Sequence, residues 1–229
     1  MFWLEDFISL IYPKICACCG NSLWKHEEVI CDFCGFHLPK TNFHLEKVNP
    51  VSRIFWGRID VENAAAYLYF NKGNKVQRLV HLLKYKGRKD IGIFLGKQYG
   101  LQLRKTSFFD TVQIILPVPL HKKKYMKRGY NQSEQFAEGL SASMQIPVDI
   151  HSLIRTKATE TQTRKSRFKR WQNVNEIFSL TDPEKLHGQH LMLVDDVITT
   201  GATLESCIQV LQKIPEVKIS VASIATALL

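Results

Sequence analysis

Apolar and polar positions along this chain fall into two periods that alternate. Leu191 to Val194 is an unbroken apolar run, the composition of a strand covered on both faces. Leu204, Cys207, Ile208 and Leu211 then recur at i, i+3, i+4 and i+7, which predicts a helix. Upstream, Ala64–Phe70 reads as a strand. Val76, Leu79, Val80 and Leu83 mark an amphipathic helix that stops near Gly87, with Lys84 and Lys86 late in it, where cations suit the dipole. A second helix is expected from Asp90 to Arg104. Val112–Val118 is the next strand, closed by Pro117 and Pro119. Asn131 with Glu134 predicts a helix start of capping-box type, with Phe136, Leu140 and Met144 on its apolar side. Ile177–Leu180 reads as a further strand, Pro183–His187 as a turn, and the β-branched run Val217–Ala225 as the strand that closes a sheet. Residues 3–11 predict a short amphipathic helix ending at Pro13 and docked on its own domain; residues 36–60 read as a connector. Strands alternating with helices predict an α/β fold with a central parallel sheet. There is no internal repeat and no low-complexity segment.

The stretch with most chemistry is H-L-M-L-V-D-D-V-I-T-T-G-A-T, residues 190–203. A buried strand ends in two adjacent carboxylates, Asp195 and Asp196. A loop of small and hydroxyl residues follows, Thr199, Thr200, Gly201, Ala202 and Thr203, and leads into a helix. A loop entering a helix presents unpaired N–H groups and the positive end of the dipole, so it suits a phosphate. Gly201 allows close approach and the threonine hydroxyls add donors. No lysine follows the glycine, so the triphosphate-binding P-loop pattern is not matched and a monophosphate is expected. The two carboxylates can accept hydrogen bonds from vicinal hydroxyls. A ribose 5-phosphate group satisfies both halves. The bland alternative is a strand-to-helix turn in which Asp and Thr only start the helix.

Two knuckles of the form C-x-x-C-G lie near the amino terminus, Cys16/Cys19 and Cys31/Cys34. Thiolates two residues apart can share one metal, and four of them favour tetrahedral zinc in a structural role. The eleven-residue gap between the pairs is shorter than the usual zinc-ribbon spacing. Two disulfides are the competing reading. Cys18 belongs to neither pair; His26, His37 and His44 are less well spaced.

The formal charge of +10 is unevenly spread. Residues 1–50 hold four Lys/Arg against six Asp/Glu, so residues 51–229 hold 27 against 15. Basic clusters occur at Lys84–Lys89, His121–Arg128 and Arg155–Arg170, and they point to a polyanion as ligand. A basic loop is expected between the strand ending at Val118 and the helix starting at Asn131. At the carboxyl edge of a parallel sheet it would face the Thr-Gly loop. That puts Lys122, Lys123, Lys124, Lys127 and Arg128 within reach of a pyrophosphate. No run approaches the ~20 apolar residues of a membrane-spanning helix. The start, M-F-W-L-E-D-F-I-S-L-I-Y-P, lacks a basic n-region and a cleavage site, so a cytoplasmic location is expected.

V-D-D-V-I-T-T-G-A-T resembles the phosphoribosyl-pyrophosphate (PRPP) signature of type I phosphoribosyltransferases. The resemblance implies that Asp195 and Asp196 hold the ribose hydroxyls and that Thr199–Thr203 hold the 5-phosphate, with Mg²⁺ accompanying PRPP. P-V-P-L followed by five basic residues and R-G-Y-N-Q-S-E-Q-F-A is similar to the competence protein F (ComF) family, as is L-I-R-T-K-A-T-E-T-Q-T-R-K-S-R-F-K-R-W-Q-N-V. That family implies a zinc module, here residues 1–50, joined to a phosphoribosyltransferase-like domain, residues 51–229. Residues 155–171 would be the loop that closes over PRPP; Phe168 and Trp171, set among its charges, could stack on single-stranded DNA or simply pack on the core. No carboxyl-terminal hood follows the last strand, so an acceptor pocket is expected from residues 51–111 or from the zinc module. Two functions follow from the resemblance. One is a PRPP-binding protein of DNA uptake and natural transformation that handles single-stranded DNA beside a helicase or similar partner. The other is an active, Mg-dependent transferase in which Asp195 and Asp196 are catalytic and a nitrogen acceptor displaces pyrophosphate.

Overall fold

The computed structural model describes residues 13–71, 73–156 and 177–227. The helix expected at 3–11, and most of the basic stretch 155–171 with Phe168 and Trp171, lie outside them.

Four strands form the central sheet: β1 (Ala64–Tyr69), β2 (Ile114–Pro117), β5 (His190–Ile198) and β6 (Lys218–Thr226). Their order is β1-β6-β5-β2 and every pairing is parallel. Leu193 pairs with Leu116 on one side and with Val221 on the other, so the apolar run 191–194 lies at the centre of the sheet, fully buried. β3 (Leu153–Arg155) and β4 (Phe178–Leu180) make a separate antiparallel ribbon.

The helices match the expected periods. α3 (Lys75–Tyr85) buries Val76, Leu79, Val80 and Leu83 and is capped by Asn74, whose side chain accepts from Gln77 N at 2.9 Å. α4 (Lys89–Leu103) packs closely on α6 (Gln132–Met144). The contact is so close because glycines face each other: a Cβ built on Gly139 would lie 2.1 Å from Ile93 O, and one on Gly96 would lie 2.3 Å from Phe136 O. α7 (Ala202–Leu211) follows β5 directly.

Three expectations change. The basic stretch is a helix, α5 (Lys122–Arg128), capped by His121 and stopped by Gly129 at φ 76°, where a loop was expected. Asn131 caps α6 through Ser133 N, but Glu134 takes its hydrogen bond from the Asn131 side-chain amide at 3.2 Å, so the box does not close on the backbone. Residues 36–60 do more than connect. They hold the end of α1 (Asp32–Phe36), a 3-10 turn at Phe43–Leu45 and α2 (Pro50–Arg53). Thr41 N donates to Tyr67 O and Tyr69 N to Pro39 O, and these bonds cover the free edge of β1.

Candidate functional site

β5 ends at the carboxyl edge of the sheet, and the acidic pair sits in its last turn of sequence. Asp195 and Asp196 are half-buried; Thr199 and Thr200 are exposed; Gly201 is buried. Helix α7 begins at Ala202, so the loop proper is only Thr199–Gly201, and Ala202 and Thr203 belong to the first helical turn. A pocket of about 40 Å³ is lined by Asp195, Val197 and the Ile198–Leu204 stretch. First-turn N–H groups have no partner within their helix, so this pocket combines amide donors, hydroxyls and one carboxylate. Gly201 is held at φ 75°, and a Cβ there would meet Ile54 Cγ2 at 2.8 Å. The loop is therefore backed by the end of α2 and the residues after it.

Both carboxylates are engaged. Asp195 Oδ1 accepts from Ser133 Oγ at 3.0 Å and from Asp196 N at 2.8 Å. Burial first, and the neighbouring Asp196 second, push the Asp195 carboxyl up to about 7. Asp196 Oδ1 forms an ion pair with Lys84 Nζ at 2.9 Å. Arg58 braces the loop from the other side. Its guanidinium donates to Thr200 O at 3.3 Å and to Ile54 O at 3.2 Å, and it pairs with Glu205 in the first turn of α7.

Sequence reasoning missed Ser133 and Arg58 as members of this site. Lys84 was legible as a helix-end cation and as the start of the basic cluster Lys84–Lys89, but not as a partner of Asp196, and no local pattern ties Arg58 to a loop 142 residues away. The expected basic cluster lies on α5, and among the described residues none of it forms an ion pair with either carboxylate. Lys122, Lys123, Lys124 and Lys127 are exposed, and a helix turns about 100° per residue, so consecutive lysines fan outward. Arg128 is half-buried: it donates to Gln132 Oε1 and lies 5.3 Å from the centre of the Tyr85 ring.

The four cysteines of the knuckles converge. Their sulfurs all lie within 4.8 Å of one another, and Cys19 and Cys31 are 3.8 Å apart. With metal–sulfur bonds of ~2.3 Å, a tetrahedron has an edge of ~3.8 Å, whereas a disulfide needs ~2.05 Å. The cysteines are free thiols arranged as a group that could hold one metal ion. Cys18 N and Cys31 N point at Cys16 Sγ, at 3.4 and 3.3 Å. Burial pushes the Cys16 thiol up, but backbone amides around it outweigh burial and bring it to about 6. Cys18 is buried apart from the four, and burial together with the adjacent thiolates pushes it up to about 12. His26 is paired with Asp32 at 3.0 Å, His37 is bonded to Phe33 O at 2.7 Å, and His44 is buried edge-on to Tyr99. A groove of about 600 Å³ separates the knuckles from α4, with Phe36, Leu38, Tyr67, Phe94 and Lys97 among its walls. None of its walls is shared with the pocket at the end of β5.

Among the described residues, no helix is long and apolar enough to cross a membrane. The family model of the phosphoribosyl transferase domain matches residues 130–228, which include α6, β5, the acidic pair and α7. The DNA utilization protein YhgH of Escherichia coli (strain K12) is 30% identical over 213 residues, covering 89% of this chain and 86% of that protein. Competence protein F of Haemophilus influenzae is 35% identical over 153 residues, 65% of this chain and 67% of that one. Competence protein ComFC of Bacillus subtilis is 26% identical over 204 residues, 88% of this chain and 79% of that one. With its knuckle cysteines gathered into one group ahead of a phosphoribosyl transferase domain, this chain belongs to the competence protein F (ComF) family.

Proposed function

We propose that this chain binds PRPP at the end of β5 and serves DNA uptake and utilisation, handling single-stranded DNA in the cytoplasm. The observation that carries the first half is one open pocket shared by Asp195 and the start of α7. The pocket gives the 5-phosphate the helix amides and the Thr199, Thr200 and Thr203 hydroxyls; its Asp195 carboxylate, with that of the adjoining Asp196, serves the ribose diol. The diphosphate arm then extends toward the cations on α3 and α5. Mg²⁺ enters with that diphosphate, since this ion is ordinarily held by substrate phosphates rather than by a dedicated protein cage.

The second half is supported by the relatives' names and by charge. Residues 51–229 carry 27 Lys/Arg against 15 Asp/Glu, and such a surface attracts a phosphate backbone in a salt-dependent manner. The knuckle cysteines, as proposed, hold a structural Zn²⁺: Cys16, Cys19, Cys31 and Cys34 supply four thiolates and leave no open position for catalysis. A unit of residues 1–50 would then be maintained by its metal beside the larger 51–229 unit, and it offers a face to a helicase or similar partner.

Calorimetry with PRPP and Mg²⁺ tests the site. Asp195→Asn combined with Asp196→Asn should abolish measurable binding while the circular dichroism of the folded chain is retained; unchanged affinity refutes the assignment. A second reading, transfer of the phosphoribosyl group to a nitrogen acceptor, is favoured by Asp195 alone. A carboxyl near 7 can take up or release a proton at working pH. Pyrophosphate release that depends on an added nucleobase or amine separates this reading from binding without turnover.

A further inference from the structure

The last turn of α3 places one cation against the acidic pair. Lys84 Nζ lies 2.9 Å from Asp196 Oδ1, and the two side chains are 22% and 13% exposed. Among the described residues, Lys84 alone forms an ion pair with either carboxylate. The backbone beneath it is fastened to the segment between α5 and α6. The Tyr130 hydroxyl donates to Leu83 O, the Arg128 guanidinium sits on the Tyr85 ring, and the Lys89 ammonium lies 5.1 Å from the centre of the Tyr130 ring. The Cα of Lys84 is thus fixed while its four-carbon stem stays able to turn. Arg128, at the end of α5, packs on the residue next to it.

A carboxylate oxygen that holds an ammonium at 2.9 Å is not free to grip a sugar hydroxyl with full strength. An arriving ribose therefore competes with Lys84 for Asp196 Oδ1. A cation released inside a half-buried site is best placed against another anion, because an unpaired charge there is costly. The diphosphate of the same ligand supplies that anion, carried on the ring carbon next to the one that bears the 2-hydroxyl. The exposed lysines of α5 are worse placed for this task, since they fan around a solvated helix.

We propose that Lys84 is a diphosphate-binding residue of the site: it rests on Asp196 in the free protein and moves to the ligand's diphosphate as the ribose hydroxyls take over the carboxylates. This inference rests on the sugar-phosphate reading of the pocket. It predicts a split between two ligands that share the ribose and the 5-phosphate but differ in the diphosphate.

Calorimetric affinities of the full chain, zinc retained, are measured for PRPP with Mg²⁺ and for ribose 5-phosphate. Lys84→Met should weaken PRPP about tenfold or more, the usual effect of losing a hydrogen bond between charged groups. It should change ribose 5-phosphate less than about threefold. Lys84→Arg, which keeps the charge and its reach, should recover most of the PRPP affinity. Should the Met variant unfold, Lys84→Gln keeps a donor for Asp196 without the charge and is expected to give the same split. Equal losses for both ligands would make Lys84 a brace for the acidic pair and overturn the inference while leaving the pocket assignment intact. Unchanged PRPP affinity overturns it as well. Failure of the unmodified protein to bind PRPP overturns the sugar-phosphate reading itself.

Discussion

Replacing Asp195 by Asn removes a titrating group from the middle of the site with almost no change of shape. An amide oxygen can accept from Ser133 Oγ and Asp196 N as the carboxylate Oδ1 does now, at 3.0 and 2.8 Å. Burial and then Asp196 hold the Asp195 carboxyl at about 7, against the opposing pull of the Asp196 amide, the Ser133 hydroxyl and Lys84. In an unfolded chain an aspartate titrates near ~3.9. Between those values the folded chain carries a proton that the unfolded chain has released. Stability therefore falls as pH rises from about 4 through about 7 and levels off above about 8. Three pH decades at ~1.4 kcal/mol each give an upper bound of about 4 kcal/mol, and screening at the half-buried site lowers the expectation to roughly 2–4 kcal/mol. For a chain of this size that is on the order of 5–10 °C in Tm. Urea unfolding of the unmodified protein and Asp195→Asn, followed by tryptophan fluorescence from pH 5 to 8.5, reads the difference directly. The variant should gain on the unmodified protein with rising pH and exceed it clearly at pH 8.5. His44 and His190, which burial keeps from taking up protons, titrate in both proteins and cancel in the difference. Parallel pH curves for the two proteins would refute the claim that Asp195 is ionised at a cost in the folded state.

Gly201→Ala should destabilise by about 2–4 kcal/mol, from a positive φ that L-residues disfavour by ~1–2 kcal/mol and from a Cβ pressed to 2.8 Å from Ile54 Cγ2. Urea unfolding measures the loss, and calorimetry should show weaker PRPP binding because the loop must move off its backing. Cys34→Ser should lower bound zinc, read by atomic absorption, well below one ion per chain. Limited proteolysis should then cut first within residues 13–49 while the parallel sheet persists, since four gathered sulfurs without their metal leave the knuckles little core of their own.

The parts of this fold that could be read from the chain are those written in local periods. Leu191–Val194 announces a central strand because both faces of it are covered, and Val76, Leu79, Val80 and Leu83 announce α3 because one face of it is. The knuckles are legible for the same reason: two residues between cysteines is a distance along the chain that survives folding. The basic stretch was not legible as α5 because all seven of its residues are polar or exposed, so no apolar stripe betrays the helical period. Its ends carry the signal instead, His121 as cap and Gly129 as stop. The cover over the edge of β1 combines backbone bonds at residues 39 and 41 with side-chain bonds from Thr41 to Ala66 O and from Asn49 to Ala64 O, and no local period announces it.

The acidic pair shows where such reading ends. Adjacency in sequence places two carboxylates together, and from that alone both would be taken as ionised. In the fold their surroundings differ. Asp195 is pushed toward its protonated form by burial and by its neighbour, and Asp196 lies against an ammonium that arrives from α3. Ser133, 62 residues upstream at the start of α6, steadies the first, and α3 steadies the second through a turn tied down by Tyr130. Arg58 does the equivalent for the Thr199–Gly201 loop from 147 residues before its partner Glu205. The motif names the atoms that would touch a ligand, whereas α3 and α6 set the surroundings of its two carboxylates before it comes. A substitution in α3 or α6 that leaves the motif untouched should therefore change the site's affinity and its pH dependence.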